Sequence, residues 1–243
     1  MPYQLPFTAL LNKLFAGPVT ALLIALGVHP THSAAPIPNF VAMEILVFLV
    51  LALFFVLVRA SLSVENPGPV QHVAEFFDGF IKNQSHELIG HGYETFTSFL
   101  VPLGLFILLS NLLGLVPGFE APTVSPAVPL GCAIVVFFYY HMHGIRHHGF
   151  HYIKQFLGPV WWLAPLMFLI EVVSHFARVM SLTVRLFANM FAGDMVTLGF
   201  FSLIPLGFPI VFLLLHLGVS IIQTFIFVLL ATVYLAGAME EAH

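Results

Sequence analysis

From Trp161 to Ile204 the chain is apolar for more than forty residues, and Pro165 near its start and Gly193 are the strongest breakers inside it. As one helix this stretch is about 65 Å long. The hydrocarbon core of a bilayer is only about 30 Å thick. A second stretch, Phe208 to Ala238, comes to about 46 Å at the same rise. Membrane helices ordinarily tilt by about 20°, and up to about 40°, so fitting these lengths into one bilayer asks for roughly 50° or more. The sequence predicts two long, strongly inclined helices, joined by the turn Ile204–Gly207 into an antiparallel hairpin.

The rest of the chain reads as membrane protein too. Residues are 60% hydrophobic and 7% charged, against about 25% charged in a soluble domain. That few charges cannot cover a water-soluble globule. Phe40 to Ala60 is the first full span, closed by Arg59, with Glu44 one turn inside its start. Residues 61–69 break it, and Val70 to Leu88 changes character. There Val73, Phe76, Phe77, Phe80 and Ile81 recur at helical spacing, opposite Gln71, Glu75, Asp78 and Lys82. Such a helix lies in the interface rather than across it.

Phe96 to Val116 is the second span. Residues 120–129 carry three prolines and read as a loop. Val128 to about Met142 is the third span, running out into His141, His143, Arg146, His147, His148 and His151. The expected fold is all-α, with about five membrane-crossing helices plus the interfacial helix. Residues 39–243 form a single transmembrane domain, with the hairpin at 160–238.

Residues 1–38 stand apart. Their apolar run, Leu14 to Val28, is too short for a span. With Lys13 before it and Ser33-Ala34-Ala35 after it, it faintly resembles a signal peptide. A segment lying on the membrane surface is the favoured reading. With five crossings, Arg59, Lys82, Arg146 and Lys154 all fall on one side. The positive-inside tendency makes that side cytoplasmic, so the amino terminus is outside and the carboxy terminus inside.

Two function classes drop out early. Seven basic against eleven acidic residues leave no basic footprint for nucleic acid. A single cysteine, Cys132, makes neither an intrachain disulfide nor a thiolate metal cluster. No phosphate-binding loop is present, so ATP chemistry is not expected of this chain alone.

The informative residues are the ionisable groups inside apolar sequence: Glu171, His175, Arg178, Arg185, Asp194 and His216. An Arg or Asp at the centre of a span costs about 2.5–3.5 kcal/mol on insertion scales, so such groups mark an ion path or a buried pair. At 100° per residue, Glu171, Ser174, Arg178, Ser181 and Asn189 lie within about 40° of Arg185 around the helix axis. His175 is about 80° away and Asp194 about 180° away by the same rotation. The next helix carries its own polar stripe, His216, Ser220 and Gln223. Folding the pair about Pro205 sets Asp194, eleven residues before it, level with His216, eleven after it. Arg185 and Gln223 share a deeper level. A carboxylate and an imidazole at one depth can relay protons.

The run Ser181-Leu-Thr-Val-Arg-Leu-Phe-Ala-Asn-Met-Phe-Ala-Gly-Asp-Met-Val196 resembles the signature of subunit a of F-type ATP synthases. His216-Leu-Gly-Val-Ser-Ile-Ile-Gln223 and the residues up to Leu235 resemble it too, as does Ser110-Asn-Leu-Leu-Gly-Leu-Val-Pro117. The resemblance runs from about residue 40 to the end.

It implies a stator protein beside a rotating ring of c subunits, in a bacterial inner membrane. The b subunits of the peripheral stalk and the rest of the synthase would be further partners. Arg185 matches the essential arginine that faces the ring carboxylates. Asp194, His216 and Gln223, with Asn111, match an inlet half-channel from the outside. Glu171 and Ser174, with His175 and Ser181, match the outlet side, and Asn189 and Arg178 are supporting residues. Three positions depart from the family pattern. Asp194 stands where many bacterial members carry Glu, Ala188 where Gly is common, and Gly114 where some members carry an acid.

The rival class is a redox enzyme of lipids. His143-Gly-Ile-Arg-His147-His148 formally resembles a histidine box of membrane di-iron desaturases and hydroxylases. Two irons need about eight histidines in three boxes, because each metal takes several imidazole or carboxylate ligands. The membrane histidines outside the cluster, His175 and His216, are single. A histidine-rich headgroup-facing loop is the favoured reading, with no cofactor and no resident metal.

Overall fold

A computed structural model describes residues 4–27, 35–63, 65–90, 92–116, 118–149, 161–203 and 208–239. The expected turn at 204–207, Lys154, His151 and the residues after Met239 lie outside these. Seven α-helices follow in order among the described residues: α1 (Pro6–Ala25), α2 (Asn39–Ala60), α3 (Pro69–Ile89), α4 (Glu94–Leu113), α5 (Ala127–His148), α6 (Ala164–Leu203) and α7 (Phe208–Met239). Short 3-10 turns occupy Pro122–Val124 and Trp161–Leu163. An all-helical chain is what lipid demands, because every backbone N–H and C=O must be satisfied without water.

The long stretches are indeed single helices. α6 has 40 residues and α7 has 32, or about 60 Å and 48 Å. Pro165 does not break α6, since it sits in the first turn, where a missing N–H costs nothing. Two expected boundaries move. The second span ends at Leu113, and turns carry the chain on through Val116. The third span starts at Ala127 and continues through the histidines to His148. These histidines therefore extend a helix instead of forming a loop. His141 and His143 turn Nδ1 back to the carbonyls of Phe137 and Tyr139, 2.9 and 3.0 Å away, one helical turn earlier.

α4 is the centre of the molecule. Of its most apolar stretch 44% is buried inside the protein, against 17% for α6. Leu100, Ile107, Val136, Tyr140, Leu186, Met190, Phe227 and Leu235 join α4, α5, α6 and α7 in one core. Between lipid-embedded helices the hydrophobic effect gives little drive, so close approach and hydrogen bonds matter more. Gly104 of α4 supplies the approach: a Cβ there would lie 3.0 Å from Val228 of α7. α6 is peripheral. It packs on α5 and α7, while Val172, Phe176, Met180 and Val184 remain exposed.

α3 is the interfacial helix in shape. Ile81 and Gln71 are buried, whereas Val73, Phe76 and Phe80 are exposed. Lys82 pairs with Asp78 at 2.6 Å one turn away, and that bond raises the ammonium above its ordinary pKa.

α1 differs from expectation. It runs through Gly17-Pro18 for 20 residues, so six helices among the described residues are long and apolar enough to cross a membrane. Its contacts are not those of a hairpin partner. The Asn12 amide bonds both backbone groups of Ile37, at 3.1 and 3.0 Å, and Leu5 N donates to Asn39 Oδ1 at 3.3 Å. In a side-by-side hairpin with α2, residue 12 would stand level with about residue 52. Instead α1 packs at the start of α2, sharing a cluster with Ala42, Met43, Leu46 and Leu113.

Candidate functional site

Arg185 sits mid-way along α6 on the helix's open side. Its Nη2 donates to Ser181 Oγ, one turn back, at 3.3 Å. The contacts of ion-pair distance among the described residues are Lys82–Asp78, His175–Glu171 and His216–Asp194, the two histidines carrying charge only when protonated. None includes Arg185 or Arg178. Arg178 lies instead over the ring of Tyr234 of α7, 5.3 Å from its centroid. Ser181, Ala188 and Ala192 flank Arg185 and are exposed, so the guanidinium stands on a surface of small side chains.

Toward the C-terminal end of α6 lies a first polar group. Asp194 Oδ1 is 3.7 Å from His216 Nδ1, and the histidine is 4% exposed. This brings together the two residues that chain arithmetic sets at one depth. The imidazole fits flush against Gly193, where a Cβ would stand 3.1–3.2 Å from three ring atoms. Ser220 Oγ donates to the His216 carbonyl at 2.8 Å, leaving its hydroxyl 3.9 Å from Met190 Sδ.

One level deeper, Gln223 Oε1 accepts from Asn189 Nδ2 at 2.7 Å. Gln223 thus pairs one turn nearer the hairpin than Arg185. His216 Nε2 and Gln223 Nε2 are buried with no hydrogen-bond partner among the described residues. Buried polar atoms of this kind are where ordered water is held.

Asn111 takes a different part. It is fully buried on α4, accepts from Thr123 Oγ1 at 2.8 Å and donates to Thr224 Oγ1 at 3.4 Å. Both ends of its amide therefore tie α4, the 3-10 turn and α7 together. Gly114, a turn further on, is filled by the returning chain: a Cβ there would meet Ala121 Cβ at 2.8 Å. A side chain at that position has no room in this fold.

The second polar group is at the other end of α6. Glu171 Oε1 is 3.3 Å from His175 Nε2, one turn on. Glu171 pairs here with His175 and not with Arg178. Ser174 is half-buried beside them, and Ser181 is exposed between them and Arg185. His175 Nδ1 lies 2.9 Å from the hydroxyl of Tyr140 on α5. Tyr140 escapes a reading of the sequence because it sits in an aromatic run, Phe137 to Tyr140, with nothing to set it apart.

Glu171 and Asp194 are twenty-three residues apart along one unbroken helix, or about 35 Å of rise. The two polar groups thus lie well apart along α6, with Arg185 between them. Among the described residues no cluster of three His, Cys, Asp or Glu is placed to hold a metal ion.

A protein-family model described as ATP synthase A chain matches residues 40–236. The ATP synthase subunit a of Koribacter versatilis is 63% identical over the whole of both chains. That of Solibacter usitatus is 46% identical over 96% of this chain and 99% of its own. That of Geobacter sulfurreducens is 39% identical over 88% of this chain and 93% of its own. The helix order, the two long C-terminal helices and these full-length likenesses place the chain in the ATP synthase A chain family.

Proposed function

We propose that α6 and α7 provide two proton half-channels on either side of Arg185, through which protons drive a ring of c subunits. As a member of its family the chain is a proton-conducting membrane subunit of the synthase, not catalytic alone. The observation that carries the finer reading is Arg185 itself. It is a cation without a carboxylate partner among the described residues, on an exposed helix face of small side chains. Small residues let a partner helix approach closely in lipid. A carboxylate carried past on that partner is the natural complement of the charge.

The inlet is Asp194, His216 and Gln223, with Asn189 donating to the Gln223 amide oxygen and Asn111 bracing α7 from behind. A proton passing this way neutralises a ring carboxylate. Once neutral, that group can turn into lipid at tolerable cost, whereas a charged one cannot. On arrival at the outlet side it meets the field of Arg185 and the polar face of Glu171, Ser174, His175 and Ser181, and gives up its proton. Each crossing is worth about 2.3 kcal/mol per 100 mV. A guanidinium stays protonated throughout, so it attracts carboxylates but passes no proton between the half-channels.

The orientation that follows from the basic residues puts the carboxy terminus in the cytoplasm of a bacterial cell and the amino terminus outside. α1 then rests on the outer surface, consistent with its contacts at the start of α2, and residues 39–243 form the transmembrane domain. The b subunits would hold the chain still against the turning ring.

The test is Arg185→Ala in inverted vesicles, compared at equal assembled complex. Coupled ATP synthesis and ATP-driven pumping fall to background, while Arg178→Ala, one heptad away, retains substantial coupling. Near-normal synthesis by Arg185→Ala refutes the mechanism.

A further inference from the structure

We propose that Tyr140 of α5 is a positioning residue of the outlet, holding the His175 imidazole against Glu171 so that these two share the departing proton. The proposal rests on the outlet reading above and adds to it a residue on a third helix. Tyr140 is 2% exposed and His175 8% exposed. The hydroxyl lies 2.9 Å from Nδ1, and Glu171 Oε1 lies 3.3 Å from Nε2. His175 is therefore hydrogen-bonded to α5 at Nδ1 and faces a carboxylate of its own helix at Nε2. Glu171 alone of the three reaches outward, with 38% of its side chain exposed.

A phenol hydroxyl both donates and accepts, and the bond at one imidazole nitrogen decides which tautomer the other presents. When Nδ1–H donates to the Tyr140 oxygen, Nε2 offers a lone pair to Glu171. A protonated Glu171 then hands its proton to Nε2, leaving a carboxylate and an imidazolium. Both N–H groups of that imidazolium have an acceptor in place, Glu171 at Nε2 and Tyr140 at Nδ1. The reverse transfer restores the starting pair, and no other reactant is needed.

The surroundings complete the picture. On α6, Arg178 and Glu171 are the charged groups near His175. On α5, His141 has its ring 4.7 Å from that of His175, and Tyr140 is 5.9 Å away ring to ring. On α7, Tyr234 lies 6.2 Å from Tyr140 and under Arg178. A proton held by the Glu171–His175 pair is therefore balanced against a fixed cation and a second imidazole.

The experiment measures ATP synthesis and ATP-driven pumping by the whole complex in inverted vesicles, as cytoplasmic-side pH is varied. Tyr140→Phe removes one oxygen and keeps the ring. It is expected to slow coupled turnover about 2- to 10-fold, the range of one lost hydrogen bond, and to move the pH dependence. His175→Gln does likewise, and the double variant is no slower than His175→Gln alone. A wild-type rate and pH dependence for Tyr140→Phe, or losses that multiply in the double variant, overturns the proposal. If Tyr140→Phe fails to assemble, a ring-fluorinated tyrosine at 140 keeps the hydroxyl and makes it more acidic. It must move the same pH dependence, and no movement overturns the proposal. Arg185→Ala in the same vesicles separates the two readings. If it abolishes coupling while Tyr140→Phe is silent, only the Tyr140 assignment fails.

Discussion

Gly193→Ala sets helix stability against the inlet. In mid-helix, alanine is favoured over glycine by about 0.8–1.0 kcal/mol, and Gly193 has ordinary helical backbone with no positive φ. The added methyl would stand 3.1 Å from His216 Cε1 and 3.2 Å from both ring nitrogens. Ordinary carbon contacts are about 3.5–4.0 Å, so the ring must retreat by about half an ångström. Turning in place does not help, because three ring atoms are equally close. Nδ1 is already 3.7 Å from Asp194 Oδ1, and retreat lengthens that gap. Overpacking costs about 1–3 kcal/mol, which the helix gain partly offsets, so the complex should still assemble. A loss of about 1 kcal/mol in the Asp194–His216 interaction corresponds to roughly fivefold slower proton uptake. The assay is ATP synthesis after rapid acidification of the outer side, at equal assembled complex. Gly131→Ala in α5 is the control, because a Cβ there meets nothing within 4 Å. If Gly193→Ala matches Gly131→Ala in rate, the imidazole at this site has no part in the inlet.

Asp194→Ala and His216→Ala should be strongly non-additive in proton-driven ATP synthesis, since one pair carries one step; simple addition of the two losses sinks the relay. Exchanging the two residue types should cost less than losing either. A cysteine label at position 243 should react from the cytoplasmic side, and labelling from the outer side alone would reverse the orientation.

The hairpin was legible because its signals are one-dimensional. Apolar runs far longer than a bilayer is thick mark two long helices, and α6 and α7 have 40 and 32 residues. Equal distances from Pro205 demand that Asp194 and His216 meet, and they stand 3.7 Å apart. The interfacial α3 was legible for the same reason, as its polar and apolar positions separate at helical period. α1 was not. Its apolar run was measured from Leu14, after Lys13, yet the helix begins at Pro6 and continues through both Lys13 and Gly17-Pro18. Neither breaker acts as one there. What places α1 is Asn12, whose amide takes both backbone groups of Ile37, and no periodicity announces a side chain pairing with a connecting segment.

The same distinction decides how much of the site could be read. A helical wheel sorts residues of one helix, so it separated Arg185's face from that of Asp194 and set His175 off to the side. It cannot say what stands opposite. His175 lies about 80° from Arg185 around the helix axis. In the fold that angle points it at α5 and Tyr140. Asn111 shows the converse. A motif match grouped it with the inlet, yet its amide is committed at both ends to Thr123 and Thr224. An amide so held does not need to carry a proton to be required, since it fixes where α7 lies against α4. Through α7 it also fixes where His216 lies against Asp194. A polar residue between membrane helices can therefore serve a proton path by setting helix position alone.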